Sequence, residues 1–589
     1  MKNTPAMADY ELRHIEALRK DLAGCTVLLK KDGSFPLEKP CTLAAYGSGV
    51  RRTIRGGTGS GEVNSRYIVT IEEGLQQAGF TLTGMEWHTG YEQARKKAHK
   101  AFLKQLKKDA KAVKQNFILY GMGKVMPEPE YDLPLNAEGD AAIYVVSRIS
   151  GEGNDRTPLK GDIRLTDSEV RDILALDKKF TRFMLVLNVG GVVDLSPVMD
   201  VRNILLLSQL GVETGGALAD ILLGKANPSG KLTTTWAAFE EYPEMPDFED
   251  MNETRYREGI YVGYRYFDTF RKKALFPFGY GLSYTEFRLG TAGVEANGAQ
   301  VTVRTTVENT GAMAGRQVVQ VYLSKPAGKL DVPRQELCAF AKTRTLAPGE
   351  AETVTCSFTL PEMAAYDAET ASYILEAGDH LVRVGVSSAE TVPAAVLHLD
   401  KTVTTLQAKN VLGSTDFTDL TAPAAAMERP EGVPVIEIDP ASIVCETIDY
   451  ARTEEILPEV DALTKEDAAL LLDNLELLEQ FGFGCEDFGD GAILVREVPA
   501  DLDAADTAAT LEEFAQNLRS GRNLDEKREA LLHTMACKAA IKGGWTSDPA
   551  ELKVLVEKVQ SGEVRYCPHG RPVVVKVSKY ELEKLFKRA

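Results

Sequence analysis

The 589-residue sequence has no apolar stretch long enough to span a bilayer. Its opening, MKNTPAMADYELRHIEALRK, lacks the apolar core of a secretory signal. A membrane-spanning or exported chain is therefore not expected. Cysteine is sparse: eight residues, Cys25, Cys41, Cys338, Cys356, Cys445, Cys485, Cys537 and Cys567, are scattered along the chain. That usage predicts reduced thiols in a cytoplasm and not a disulfide scaffold. Positive charge is in deficit, with 68 Lys and Arg against 86 Asp and Glu for a formal −18. A protein that coats nucleic acid needs clustered cations for phosphate contacts, so the front of the chain is not read as one. The one basic run, Arg95 through Lys114, has helical spacing that turns Phe102, Leu103 and Leu106 to a core. It reads as the solvated face of a surface helix, with an anion-binding patch as the alternative.

What is present is the composition of a soluble globular protein, 44% hydrophobic and 26% charged. The length predicts two to four domains. From about Cys25 to Gly230, short apolar runs (Thr42–Tyr46, Ala141–Ser147, Phe183–Val189, Ile204–Ser208) alternate with amphipathic stretches (Thr70–Ala78, Thr166–Phe180, Thr214–Leu223). That alternation predicts a mostly parallel sheet with helices on both faces. Ligands on such sheets bind in loops beyond the strand C-termini. Two such loops stand out, GSGVRRTIRGGTGSGEVN at 47–64 and RISGEGNDR at 148–156. Residues 298–400 carry short alternating runs separated by NTG, KPAGKLDVP and APGE, the spacing of a β-sandwich. TAPAAAMERPEGVP reads as linker, and after residue 461 helices return around short strands, predicting a small α+β domain.

The glycine loop Gly56, Gly57, Gly59 and Gly61 follows neither GxxxxGK[ST] nor a placed GxGxxG pattern, so nucleotide binding is excluded. Glu152 sits between two glycines, which add no bulk and permit close approach to a ligand, although a loop Glu is most often plain solvated surface. Tyr261, Tyr264, Tyr266 and Phe267 read as core packing at a domain edge, with sugar stacking as the alternative.

The motifs GGTGSGEVN, SGEGNDR, NPSGKL, EGIYVGYRYFD and FPFGYGLSYTEF resemble the C-terminal α/β domain of family 3 β-glucosidases. NTGAMAGRQVVQVYLS and ELCAFAKTRTLAPGE resemble the fibronectin-III-like domain that follows it in that family. The resemblance implies an α/β domain at 25–290 after a helical lead at 1–24, a β-sandwich at 291–405 and a linker or extension at 406–460. It implies Glu152 as the acid/base of a retaining glycosidase acting on a β-linked glucoside or oligosaccharide, without a cofactor. It makes Gly56, Gly57, Gly59 and Gly61 the lining of the sugar entrance, with Asp155 and Arg156 bracing the loop through an ion pair or hydrogen bonds. The family's nucleophile is an Asp, usually in a Ser-Asp-Trp motif, on a (β/α)₈ barrel. No Ser-Asp-Trp occurs in this sequence and no barrel-sized repeat follows residue 460. The expectation is a chain inactive by itself, with the face meant for the barrel open to self-association.

Residues 461–589 resemble another family. LTKEDAALLLDNLELLEQFGFGCEDFGDGAILVREVPADL, MACKAAIKGG, CPHGRP and the terminal LFKRA are similar to the C-terminal domain of the mismatch-repair protein MutL. That resemblance implies dimerisation and a partial metal site, suited to zinc, at Cys537, Cys567 and His569. TEEILPEV at 453–460 resembles the family's clamp motif without its leading Gln. The alternatives to a glycosidase are therefore a repair-type binding protein acting through the tail, or a fusion with no selected function.

Overall fold

Apolar residues at consecutive positions make sense in a strand only if both of its faces are covered, and two segments of this chain meet that condition. In the computed structural model, Ala141–Arg148 and Phe183–Val189 are buried at every position. The structure describes residues 7–61, 63, 65–121, 124–152, 156–244, 254–411, 415, 417–422, 429–448, 464–489, 492–499 and 507–519, with Lys553, Lys558 and Ser561. The chain divides into two units, residues 1–448 and 449–589.

The first unit begins with a six-stranded sheet. Its strands are β1 (Val27–Lys30), β2 (Thr42–Tyr46), β3 (Thr81–Thr83), β4 (Ala141–Arg148), β5 (Phe183–Val189) and β6 (Ile204–Leu206), in spatial order β3-β2-β4-β5-β6-β1. All pairings are parallel except β1 with β6, where Val27 faces Leu206. The helices are α1 (Asp9–Asp21), α2 (Ile71–Gln77), α3 (Met85–Ala112), α4 (Phe117–Gly121), α5 (Asp167–Lys179), α6 (Thr214–Leu222) and α7 (Tyr264–Thr269). The period-2 alternation of strand side chains divides the core into two. Tyr46, Tyr144, Leu185 and Leu187 pack with Trp87 and Tyr91 of α3 and Ile173 and Leu176 of α5. Leu43, Ile143, Val145 and Val186 pack on the other face with Ile71 and Leu75 of α2 and Leu218 and Ile221 of α6. The predicted parallel sheet is thus present. β1 and β3 were not read from the sequence: each is too short to show a period, and β1 lies antiparallel at the edge.

Local chemistry sets the helix starts. Thr70 caps α2 and Thr166 caps α5, each accepting from the backbone N–H three residues on, while Glu73 and Glu169 return the bond to the cap. Where α2 meets α6 the backbones touch. A Cβ on Gly215 would lie 1.9 Å from the Thr70 carbonyl oxygen, and one on Gly74 would lie 2.2 Å from the Gly215 carbonyl carbon. Only glycine fits at either position. The basic run forms α3, with Leu106 buried and Phe102 and Leu103 half-buried beneath its solvated cations.

The all-β part of the unit contains β7 (Phe287–Leu289), β8 (Gly293–Asn297), β9 (Gln300–Asn309), β10 (Val318–Ser324), β11 (Glu336–Lys342), β12 (Ala351–Thr359), β13 (Ala365–Asp367), β14 (Ser372–Leu375), β15 (Gly378–Gly385), β16 (Thr391–Leu399), β17 (Val403–Gln407), β18 (Val435–Ile438) and β19 (Glu446–Thr447). One sheet runs β11-β10-β15-β16-β18 and another β12-β9-β7, with β8 also on β9. Val301, Val303, Val321, Leu323, Phe358 and Val382 fill the space between them. β10 is buried on both faces because its outer side lies against the α/β layer. There the Gln320 amide donates to the Gly279 and Val386 carbonyls (3.0 and 2.7 Å) and accepts from the Tyr322 hydroxyl (2.6 Å). Within 406–460, read as linker or extension, β18 extends the sandwich alongside β16 and β19 pairs with β17. The alternation in VIEI was hidden by the Ala- and Pro-rich run before it.

The second unit, among the described residues, has helices α8 (Lys465–Leu472), α9 (Leu475–Gln480) and α10 (Thr507–Arg519) and a hairpin of β20 (Gly484–Gly489) and β21 (Ala492–Glu497). Leu471, Leu478, Phe483, Leu511, Phe514 and Leu518 form its core.

Substitution Gly215→Ala is expected to force α2 and α6 apart. The cost should be about 1–3 kcal/mol or more, the range for overpacking a well-packed contact. A lowered unfolding midpoint of the first unit in differential scanning calorimetry would show it, and an unchanged midpoint would contradict the close approach.

Candidate active site

β2 and β4 are neighbours running in the same direction, so the loops that leave Tyr46 and Arg148 emerge side by side at the C-terminal edge of the sheet. Glycines let these loops touch backbone to backbone. A Cβ on Gly57 would lie 2.8 Å from the Ser150 carbonyl oxygen, and one on Gly151 would lie 2.2 Å from the Thr58 nitrogen. The Thr58 hydroxyl donates to the Glu152 carbonyl at 2.7 Å. Gly59 has φ 66°, and a Cβ there would be 2.7 Å from Glu152 Oε2, so the carboxylate lies over a position only glycine can occupy. Gly56 faces the Gly61 carbonyl and Gly61 has open space around it. Of the four predicted glycines, Gly57 and Gly59 meet the Glu152 segment, and Gly56 and Gly61 serve the turn of their own loop. Glu152 is exposed.

Asn188, buried on β5, holds the first loop from below. Its carboxamide accepts from the Ile54 N–H (2.6 Å) and donates to the Ile54 and Ser208 carbonyls (2.8 and 2.7 Å). Arg156 pairs with Asp162, which also accepts from the Thr157 backbone N–H (2.6 Å) and hydroxyl (2.9 Å). A second guanidinium nitrogen of Arg156 donates to the Ser150 hydroxyl at 3.3 Å. Asp155 lies outside the described residues, as do Cys537, Cys567 and His569.

Beneath the loops is a cleft of about 730 Å³ between the 47–64 loop, the 148–162 segment, α3 and residues 124–128. At its floor the Arg148 guanidinium, almost fully buried, pairs with Glu169 at 2.6 Å and donates to the Asp162 carbonyl at 3.0 Å. Burial works against the arginine's charge, but Glu169 outweighs it and the pKa is raised. Glu128 accepts from the Tyr91 hydroxyl at 2.5 Å. Burial, then the neighbouring Glu169 carboxylate, pushes Glu128 up to about 7. Sequence reading missed Glu128, Asp162, Glu169 and Asn188. The one local signal was the Thr166–Glu169 capping box, since buried partners from separate elements leave no periodic trace.

The four aromatics are structural. Tyr261, Tyr266 and Phe267 are buried in one cluster. Tyr264 stacks on Phe278 at 4.5 Å and its hydroxyl accepts from the Leu337 N–H. No helix among the described residues is long and apolar enough to cross a membrane.

Residues 26–284 match the glycosyl hydrolase family 3 C-terminal domain, and residues 317–388 match a fibronectin type III-like domain. Beta-glucosidase A of Butyrivibrio fibrisolvens is 35% identical over 433 residues, which cover 64% of this chain and 50% of that protein. A beta-glucosidase of Ruminococcus albus is 31% identical, covering 71% and 44%. The solved beta-glucosidase 3B of Thermotoga neapolitana, in complex with glucose, superposes with a TM-score of 0.58 at 35% identity over 68% of this chain and 55% of that one. Both domain matches fall within the first unit, in that order along the chain. The chain spans about half the length of the curated relatives it matches. Residues 456–546 match the MutL C terminal dimerisation domain.

Two outcomes follow from the cleft floor. Arg148→Met leaves Glu169 buried without its cation and should cost about 3–5 kcal/mol in chemical unfolding. Adding Glu169→Gln, which keeps an acceptor for the helix cap, should recover much of that loss; no recovery would mean the ion pair is not the cause. Glu128 holds its proton in the folded state up to about pH 7, against an ordinary value of 4.5. The unfolded chain binds fewer protons across that window, so Glu128's contribution to stability falls as pH rises from 4.5 towards 7 and is flat above it. Glu128→Gln should therefore gain more in unfolding temperature at pH 8 than at pH 5, and an equal change at both would refute the assignment.

Proposed function

We propose that the first unit is the acid/base-bearing part of a retaining β-glucosidase-type hydrolase, with Glu152 as the carboxyl that protonates the leaving glycosidic oxygen and then activates water. The observation that carries this reading is the seating of Glu152 over Gly59, with its backbone tied to Thr58, at the C-terminal edge of the parallel sheet. Ligands of open α/β sheets bind at that edge. The names of the relatives support a β-glucoside as substrate.

Retention requires a second carboxyl roughly 5–5.5 Å from the first, acting as nucleophile. The sequence has no Ser-Asp-Trp to supply it. We assign that group to a barrel domain outside this sequence. A general acid also needs a raised pKa, which burial provides, and Glu152 is exposed in this chain. Val63, Val125 and Leu159, exposed at 63%, 53% and 57%, lie around the same loops and cleft, as expected of a face that another domain covers.

The chain by itself should hydrolyse aryl β-glucosides no faster than background. Turnover by this chain that Glu152→Gln abolishes would overturn the division of labour, because it would require a nucleophile within these residues. In sedimentation at micromolar concentration the chain should self-associate or take up a separately expressed barrel. A monomer that does neither would remove the argument from the exposed face. A dimerising role for the tail, resting on the 456–546 match alone, is the secondary reading; deleting residues 449–589 without any change in self-association would exclude it.

A further inference from the structure

Away from the cleft, where α7 meets the β-sandwich, a surface pocket of about 240 Å³ is lined by four cations, Arg271, Lys272, Arg334 and Arg383, and one carboxylate, Asp268. The acid is already engaged, accepting from the Gln335 amide at 2.9 Å and the Ser388 hydroxyl at 3.4 Å. Among the described residues, none of the four cations forms an ion pair.

Some of this charge has a local explanation. Arg271 and Lys272 follow the C-terminal end of α7, where carbonyl dipoles favour cations. Yet Arg271 occupies the left-handed position of the helix stop, with φ 52°, and the Lys272 N–H closes the motif on the Phe267 carbonyl at 3.0 Å. Glycine is the residue without strain there. An arginine in that place costs the turn something, and its side chain opens on the pocket.

Arg334 and Arg383 have no helix end to answer to. Arg383 comes from β15, with its Nε donating to the Thr391 hydroxyl at 2.9 Å, and Arg334 comes from the loop before β11. Burial, and then the nearby Arg334 charge, lower the Arg383 pKa. Both guanidiniums line the same pocket, and the planar forks of arginine match the oxygens of a phosphate.

We propose that this pocket binds a small phosphate-type anion, free or as the end group of a phosphomonoester, held between Arg334 and Arg383 with Arg271 and Lys272 at the rim. The proposal does not depend on the glycosidase reading. The test is thermal unfolding of the full chain with inorganic phosphate against chloride at matched ionic strength, and with glucose 6-phosphate as the phosphomonoester arm. Phosphate should raise the transition of the first unit saturably, and chloride should not. Tighter saturation by glucose 6-phosphate assigns the site to a phosphomonoester, and equal saturation assigns it to the free anion. Arg334 is exposed and its guanidinium makes no hydrogen bond or ion pair among the described residues, so Arg334→Gln should fold normally and bind about tenfold or more weakly, as loss of one charge-assisted contact predicts. Arg271→Asn, which keeps a residue tolerant of positive φ, is the second variant. No shift beyond chloride, or a shift unchanged in the Arg334→Gln/Arg271→Asn protein, would overturn the proposal.

Discussion

The buried pairing of Arg148 with Glu169 joins the three things the front of the molecule must hold together. Arg148 is the last residue of the central strand β4 and the first of the segment that bears Glu152. Glu169 is both its counter-ion and the residue that closes the cap of α5. One carboxylate thus fixes a strand end, a helix start and the root of the loop. Such pairs contribute little net stability over an apolar pair of the same shape, since the desolvation of both ions nearly offsets their attraction. What this one supplies is position, because an unpaired charge at that depth is costly enough to exclude other arrangements of the loop.

The same low-polarity setting explains Glu128. It shares the floor with Glu169, and a single arginine cannot fully compensate two acids, so one holds its proton more tightly. The glycine contacts above are the steric counterpart. Gly57 and Gly151 allow two loops to lie closer than any side chain would permit, and the result is that the backbone leading into Glu152 is held against the first loop.

How much of this could be read in advance follows from the range of each signal. The strands β2, β4 and β5 and the helices α2, α5 and α6 were legible because consecutive apolar runs and capping residues are local. Glu152 and its two glycine loops were legible through resemblance and through their place after parallel strands. β18 was lost behind a run of Ala and Pro, and β1 behind its shortness. Asp162 as the partner of Arg156, and Glu169 as that of Arg148, could not be read, because pairing between separate elements depends on where the backbone brings them and has no spacing in the sequence. The aromatic group at 261–267 was legible as packing at a domain edge, and the burial of Tyr261, Tyr266 and Phe267 agrees with that reading.

The edge strand β1 carries a consequence for how the chain is made. Val27 pairs with Leu206, and Leu28 bridges to Leu282 from the far end of the α/β layer. The Gln320 amide then binds the Gly279 carbonyl from the sandwich. β1 therefore waits for partners synthesised long after it, and contacts so distant in sequence form slowly. During that interval Val27, Leu28 and Leu29 are an unpaired apolar edge on a nascent chain, the kind of segment that chaperones retain and that aggregates when they do not.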